Sequence, residues 1–257
     1  MNVIDIMIDG FKKVYSGKNV LSKHFFMFII IAILSISTVN VQIMANAIEK
    51  TKEIPNISQL LICLAITIII GIYTGGYNLL FSHNAFNREN KDILPEITLT
   101  PFKVFLKTLP LMIIWSLYIL VAIFFSMFLI SSKSLLTVLG IFLFLFLLFL
   151  CAFVNFVYIA YIKNFDSNGL FNITLPFKYM QKSFSDFVLL GLLFIPVYGV
   201  AMTPSFIVGL LFGLMGAKTI MALYAGGILG GYLGFIVQVV WYYCLVQIYR
   251  EKIEPNL

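Results

Sequence analysis

The chain has 257 residues, is 61% hydrophobic and 11% charged, and carries a formal net charge of +6. Soluble domains carry about a quarter charged residues, so this composition, with a mean hydropathy of +1.02, excludes an ordinary soluble globule. The basic residues flank apolar runs, with no phosphate-binding motif beside them, so they read as membrane orientation signals and no nucleic-acid partner is expected.

In chain order, the first element is a short amphipathic helix. Ile4, Met7, Ile8, Phe11, Val14 and Tyr15 share one face at helical spacing, and Asp5, Asp9, Lys12 and Lys13 lie off it. Six apolar stretches follow, at roughly 25–48, 58–82, 108–132, 134–162, 187–217 and 219–249. None contains Asp, Glu, Lys or Arg, and each reaches the length of about 20 residues that spans a bilayer. The stretch 134–162 is longer than needed and is expected to tilt. Ala45-Asn46-Ala47 has the form of a signal-peptide cleavage site. The long lead with Asp5 and Asp9 fits an uncleaved span better. The expected fold is therefore all-α, a polytopic bundle of six transmembrane helices in one integral membrane domain, 1–257.

Charge orients the bundle. Thirteen Lys and Arg fall in the amino-terminal segment, the loops after spans two and four, and the tail. Four fall on the other side, at Lys50, Lys52, Lys133 and Lys218. The positive-inside rule then predicts both termini in the cytoplasm of a multi-pass plasma-membrane protein.

Two loops nearly repeat. Ile97-Thr98-Leu99-Thr100-Pro101-Phe102-Lys103 matches Ile173-Thr174-Leu175-Pro176-Phe177-Lys178 with one inserted residue, and Gly10-Phe11-Lys12 is a weaker echo. The pattern predicts three hairpins, in units of about 1–92, 93–166 and 167–257, each preceded by a cytoplasmic interfacial amphipathic helix. Thr100 before Pro101 suits an N-cap. Lys12, Lys103 and Lys178 are the candidate lipid-headgroup contacts, with membrane lipids the expected partners.

Small residues mark candidate helix contacts. They are Gly71, Gly75 and Gly76 in span two, and Gly226, Gly230 and Gly234, with Gly227 and Gly231, in span six. Glycine at this spacing lets backbones touch, which holds helices together in lipid. Gly209 and Gly213 offer the same in span five, where Pro196 and Pro204 predict kinked packing or, on the sharper reading, a broken-helix passage site. Asn40, Gln42, Asn155, Gln238 and Gln247 are the polar residues singled out within the spans. Interhelical hydrogen bonding is their simplest role, and lining a narrow polar path is the alternative.

Chemistry-bearing groups are sparse. Cys63, Cys151 and Cys244 all fall within spans, without CxxC spacing, and read as reduced apolar residues. His24 and His83 share no ligand spacing. Arg88, Glu89, Asp92 and Glu96 read as a solvated charged loop. No catalytic residue, metal site or cofactor is expected.

Gly75-Gly76-Tyr77, Leu94-Pro95-Glu96 and Phe102-Lys103 together resemble a family of uncharacterised archaeal and bacterial membrane proteins, a domain of unknown function. That family has a Gly-Tyr span end, a polar loop with a Leu-Pro step and an amphipathic lead into the next span. The resemblance covers most of the chain and implies fold and location only. The chain departs from it at Asn78, Leu79 and Leu80, where the family has basic residues. The expected role is a non-enzymatic scaffold or accessory subunit with a protein partner or homo-oligomer. A permease or lipid-handling transporter without ion coupling is the alternative, and a lipid-active enzyme the third.

Overall fold

The computed structural model describes residues 2–51, 56–87, 92–131, 135–215 and 219–256. Among these, the backbone forms seven α-helices and no strand. They are α1 (Val3–Val14), α2 (Val20–Thr51), α3 (Ile57–Asn87), α4 (Thr100–Ile130), α5 (Leu135–Asn164), α6 (Leu175–Leu214) and α7 (Thr219–Ile248). A wider π-helical turn, Tyr249–Ile253, continues α7. Six of these helices are long and apolar enough to cross a membrane. The protein is thus a multi-pass integral membrane protein with an all-α bundle fold. At about 1.5 Å per residue each long helix exceeds the hydrocarbon thickness of about 30 Å, so all project or tilt. Of the outer loop expected at 49–57, residues 52–55 lie outside the described residues, as do the turns expected at Lys133 and around Gly216 to Lys218 and the charges Arg88 and Glu89. Ala45-Asn46-Ala47 sits inside α2.

The amphipathic segments differ from expectation. Only the first is a helix of its own. At Thr100 and Leu175 the segment is the opening of the span helix itself, with Pro101 and Pro176 inside the first turn. Proline is tolerated there because first-turn N–H groups have no partner in the helix. Thr100 is not the cap. Thr98 Oγ1 accepts from the Thr100 amide at 3.2 Å, and Asn172 Oδ1 accepts from the Thr174 amide at 3.0 Å. The α1 face is also shifted. Val3, Ile6, Gly10 and Val14 are buried, whereas Ile4, Ile8 and Tyr15 are exposed. α1 packs on α7 and so does not float in the interface alone. Gly10 makes this possible, since a Cβ there would lie 3.0 Å from both Tyr243 and Val240.

α7 is the hub, packed against α1, α2, α3, α5 and α6. Its glycines form two faces. Gly226, Gly230 and Gly234 meet Ser205 and Met202 of α6. Gly227 and Gly231 meet Val39 and Ser35 of α2. Ser205 Oγ donates to the Gly226 carbonyl, and Tyr224 donates to Asn40 Oδ1 at 2.6 Å, so both faces also carry polar ties. Gly76 closes α3 on α4, where a Cβ would overlap the Pro101 carbonyl, and Gly75 rests against the Phe105 ring. Gly71, Gly209 and Gly213 make no close approach. Pro196 and Pro204 lie within one continuous helix, α6, so it is not broken.

The loop before α4 is pinned at Ile93, Leu94 and Pro95, while Glu96 beside them is exposed. Three successive carbonyls, of Ile93, Leu94 and Pro95, accept from Asn84 Nδ2 (3.0 Å), Lys23 Nζ (2.9 Å) and Tyr77 Oη (3.4 Å). Ile93 and Leu94 are buried, and Lys23 is only 8% exposed. Leaving such a carbonyl unpaired costs about 1–3 kcal/mol. The Lys18 amide donates to Asp92 at the head of this loop. Here the Gly-Tyr and Leu-Pro motifs touch directly. Asn78 and Leu79, where the resembled family carries basic residues, are buried.

Two substitutions separate close packing from mere glycine content. Gly76→Ala is expected to destabilise by about 1–3 kcal/mol, because backbone must move. Gly71→Ala is expected to be neutral or stabilising by up to about 1 kcal/mol, because a helical glycine is replaced in open space. Thermal unfolding in detergent checks both; equal effects would refute the assignment of Gly76 to a backbone contact.

Candidate functional site: a polar cleft between α5, α6 and α7

Because the spans hold no formal charge, their uncharged polar groups are what a ligand or partner meets. The structure gathers several around one cleft of about 630 Å³. α5 contributes Asn155; α6 contributes Gly191, Phe194, Ile195 and Tyr198; α7 contributes Gln238, Trp241 and Tyr242. The volume lies within the range of about 300–1,000 Å³ usual for small-molecule sites. Asn155 lies eight residues along α5 from Lys163, about 12 Å at helical rise.

Helix geometry explains the assembly. Gln238, Trp241 and Tyr242 are spaced i, i+3, i+4 on α7 and so share a face. Gly191, Phe194, Ile195 and Tyr198 do the same on α6. The Trp241 indole is held edge-on by two rings, with centroids 5.0 Å from Phe194 and 5.8 Å from Phe187. Gly191 leaves space, since a Cβ there would meet nothing within 4 Å. Pro196 is exposed beside Ile195 and withholds a ladder donor from the Leu192 carbonyl.

The polar groups are not tying helices together. Asn155 Nδ2 donates to Ala152 of its own helix at 2.9 Å, which leaves Oδ1 as an acceptor. Gln238 is exposed, and neither it nor Trp241 or Tyr242 makes a hydrogen bond within the described residues. Gln42 and Gln247 make none either; only Asn40 of the five singled-out amides bonds across helices. The cleft therefore offers donors from an indole, a phenol and an amide, with acceptors on Asn155 and Gln238. In hydrocarbon such groups are costly when unmet.

The other predicted residues lie elsewhere. Gly226, Gly230 and Gly234 pack α7 on α6, and Gly75 and Gly76 pack α3 on α4. Pro204 is exposed on α6, and Lys12, Lys103 and Lys178 are exposed on their helices. The histidines hold backbone. His83 Nδ1 lies 2.7 Å from the Ile162 carbonyl. His24 Nε2 lies 3.0 Å from the Val14 carbonyl, so its Nδ1 accepts from Tyr232 at 2.8 Å in the neutral ring. Sequence reasoning missed Trp241, Tyr242 and Tyr198. Their signal was the Trp241-Tyr242-Tyr243 run in a chain with two tryptophans. An ion pair, Lys163–Glu254, closes α5 on the tail and was also missed.

Compared with protein-family models, curated proteins and solved structures, the chain has no match.

If the cleft amides serve ligand contact, removing them spares stability. Asn155→Leu and Gln238→Leu are each expected to shift unfolding by no more than about 0.5 kcal/mol. Asn40→Leu, which strands the Tyr224 hydroxyl, should cost about 1–3 kcal/mol. Thermal unfolding of the three variants side by side checks the order.

Proposed function

We propose that this protein is a non-enzymatic, lipid-handling membrane protein that binds an amphiphile in the α5–α6–α7 cleft. The single observation that carries this reading is the meeting of Gln238, Trp241 and Tyr242 with Asn155 around one open cleft. A transporter needs a polar site inside the membrane, and an amphiphile brings both a tail for the apolar walls and acceptors for the donors. The polar lining is amide, indole and phenol, which supply no base at neutral pH and no carboxylate for ion coupling. No cofactor enters this reading.

A scaffold or accessory subunit is the second reading. It is favoured by the exposed Gln238 amide, which a helix of a protein partner or a second copy would also satisfy. Under either reading the thirteen-to-four basic asymmetry supports cytoplasmic termini in the plasma membrane. Membership of the family that the chain resembles rests on the Gly75-Gly76-Tyr77, Leu94-Pro95-Glu96 and Phe102-Lys103 motifs alone.

Gly191→Trp fills the cleft from a position where a side chain meets open space. The wild-type chain is expected to retain a co-purifying amphiphile in native mass spectrometry, and Gly191→Trp to retain at least about tenfold less at unchanged thermal stability. Loss of a protein partner instead would favour the accessory reading, and equal ligand content in both chains would sink the lipid-handling one. A carboxyl-terminal reporter should be active only in the cytoplasm; an external signal would reverse the topology.

A further inference from the structure

The α2–α3 hairpin carries a separate groove of about 410 Å³. Its walls are Ile30 and Ile33 of α2 with Ile69 and Tyr73 of α3, and Leu99 and Phe102 close one end. Tyr73 is 7% exposed and packs its ring 5.2 Å from Phe102. Its hydroxyl is buried and has no hydrogen-bond partner. The Thr98 backbone lies beside it. Tyr73 lines this open groove, and its hydroxyl lacks an acceptor.

The place recurs. Between α4 and α5 a smaller cavity of about 130 Å³ is walled by Trp115, Ile119 and Leu150. It is closed by Ile173 and Phe177 of the second Ile-Thr-Leu-Pro-Phe-Lys run, as the first run closes the α2–α3 groove. In each case an exposed lysine, Lys103 or Lys178, directly follows the closing phenylalanine.

We propose that the α2–α3 groove binds one diacyl phospholipid, with an acyl chain along the isoleucines, its ester carbonyl accepting from the Tyr73 hydroxyl, and its phosphate at Lys103. Isoleucine walls suit a hydrocarbon chain and offer nothing to a peptide backbone, whose polar groups need partners. Lysine at a span start is the usual partner of an anionic headgroup. The carbonyl of an acyl ester is the acceptor that lies between tail and phosphate, and Tyr73 packs on Phe102, the residue before Lys103. This site shares no residue with the α5–α6–α7 cleft and does not rest on its assignment.

The test compares a diester phosphatidylglycerol with its diether analogue, which keeps tails and headgroup but lacks the carbonyl. The full-length chain in detergent is titrated with each and bound lipid is counted by native mass spectrometry. Wild type is expected to prefer the diester by about 2- to 10-fold, the worth of one hydrogen bond. Tyr73→Phe, which keeps the ring, should abolish that preference. Ile69→Trp should remove this bound lipid of either kind, and Lys103→Gln should weaken both equally. Gly191→Trp should leave the preference intact, so failure of the cleft reading stays distinguishable. A diester preference that survives Tyr73→Phe, is absent from wild type, or vanishes in Gly191→Trp overturns the proposal.

Discussion

Two glycine faces on one helix set the distances in this bundle. Gly226, Gly230 and Gly234 admit α6, whose Ser205 backbone comes close to Gly226, and Gly227 and Gly231 admit the Val39, Ser35 and Ile31 side chains of α2. In lipid there is no hydrophobic gain from bringing one apolar helix to another, and close van der Waals contact must do that work. The carboxyl-terminal half of α7 then becomes the most enclosed part of the chain, with Val239, Val240, Leu245 and Val246 fully buried. α1 docks on that half through Gly10, and the Asp9 carboxylate accepts from Tyr243 there.

A second constraint acts where the helices end. Non-helical backbone near the hydrocarbon must find hydrogen bonds from protein. The loop of Ile93, Leu94 and Pro95 finds them in Asn84, Lys23 and Tyr77. The loop before α6 finds one in Trp115 Nε1, which donates to the Leu170 carbonyl at 3.1 Å. Satisfied loops at these depths give the following helices fixed starting points. That is why Pro101 and Pro176, both buried, can open α4 and α6 without a separate interfacial helix.

With the helix contacts and loops satisfied, the polar groups left over become informative. Beside the buried Asn78 Oδ1 and the scattered Gln42 and Gln247, two places line an open groove: the α5–α6–α7 cleft and the wall of the α2–α3 groove that Tyr73 forms. One is an uncharged hydrogen-bonding site among aromatic rings, the other a single tyrosine hydroxyl beside a groove walled by isoleucines. Both suit molecules that dissolve in the bilayer. The absence of formal charge from the spans fits such molecules better than an ion or a proton relay.

The sequence by itself determined that six helices cross a membrane, because spanning depends on local runs of apolar residues. It also marked where helices start, since proline, its neighbouring threonines and its lysine act within a turn. It marked Gly76, Gly230 and Asn155, but not what each one faces. Gly71 and Gly76 look alike in the chain, yet one meets open space and the other a carbonyl. Asn40 and Asn155 look alike as well, yet one bonds across helices and the other lines a cleft. Hydrophobic periodicity was blunt for a related reason. In a bilayer the lipid-facing side of a helix is as apolar as the packed side, so composition does not tell the two apart. Which face turns inward was decided only by the tertiary structure, because contacts between residues distant in the chain, and not the local pattern, fix helix rotation in lipid.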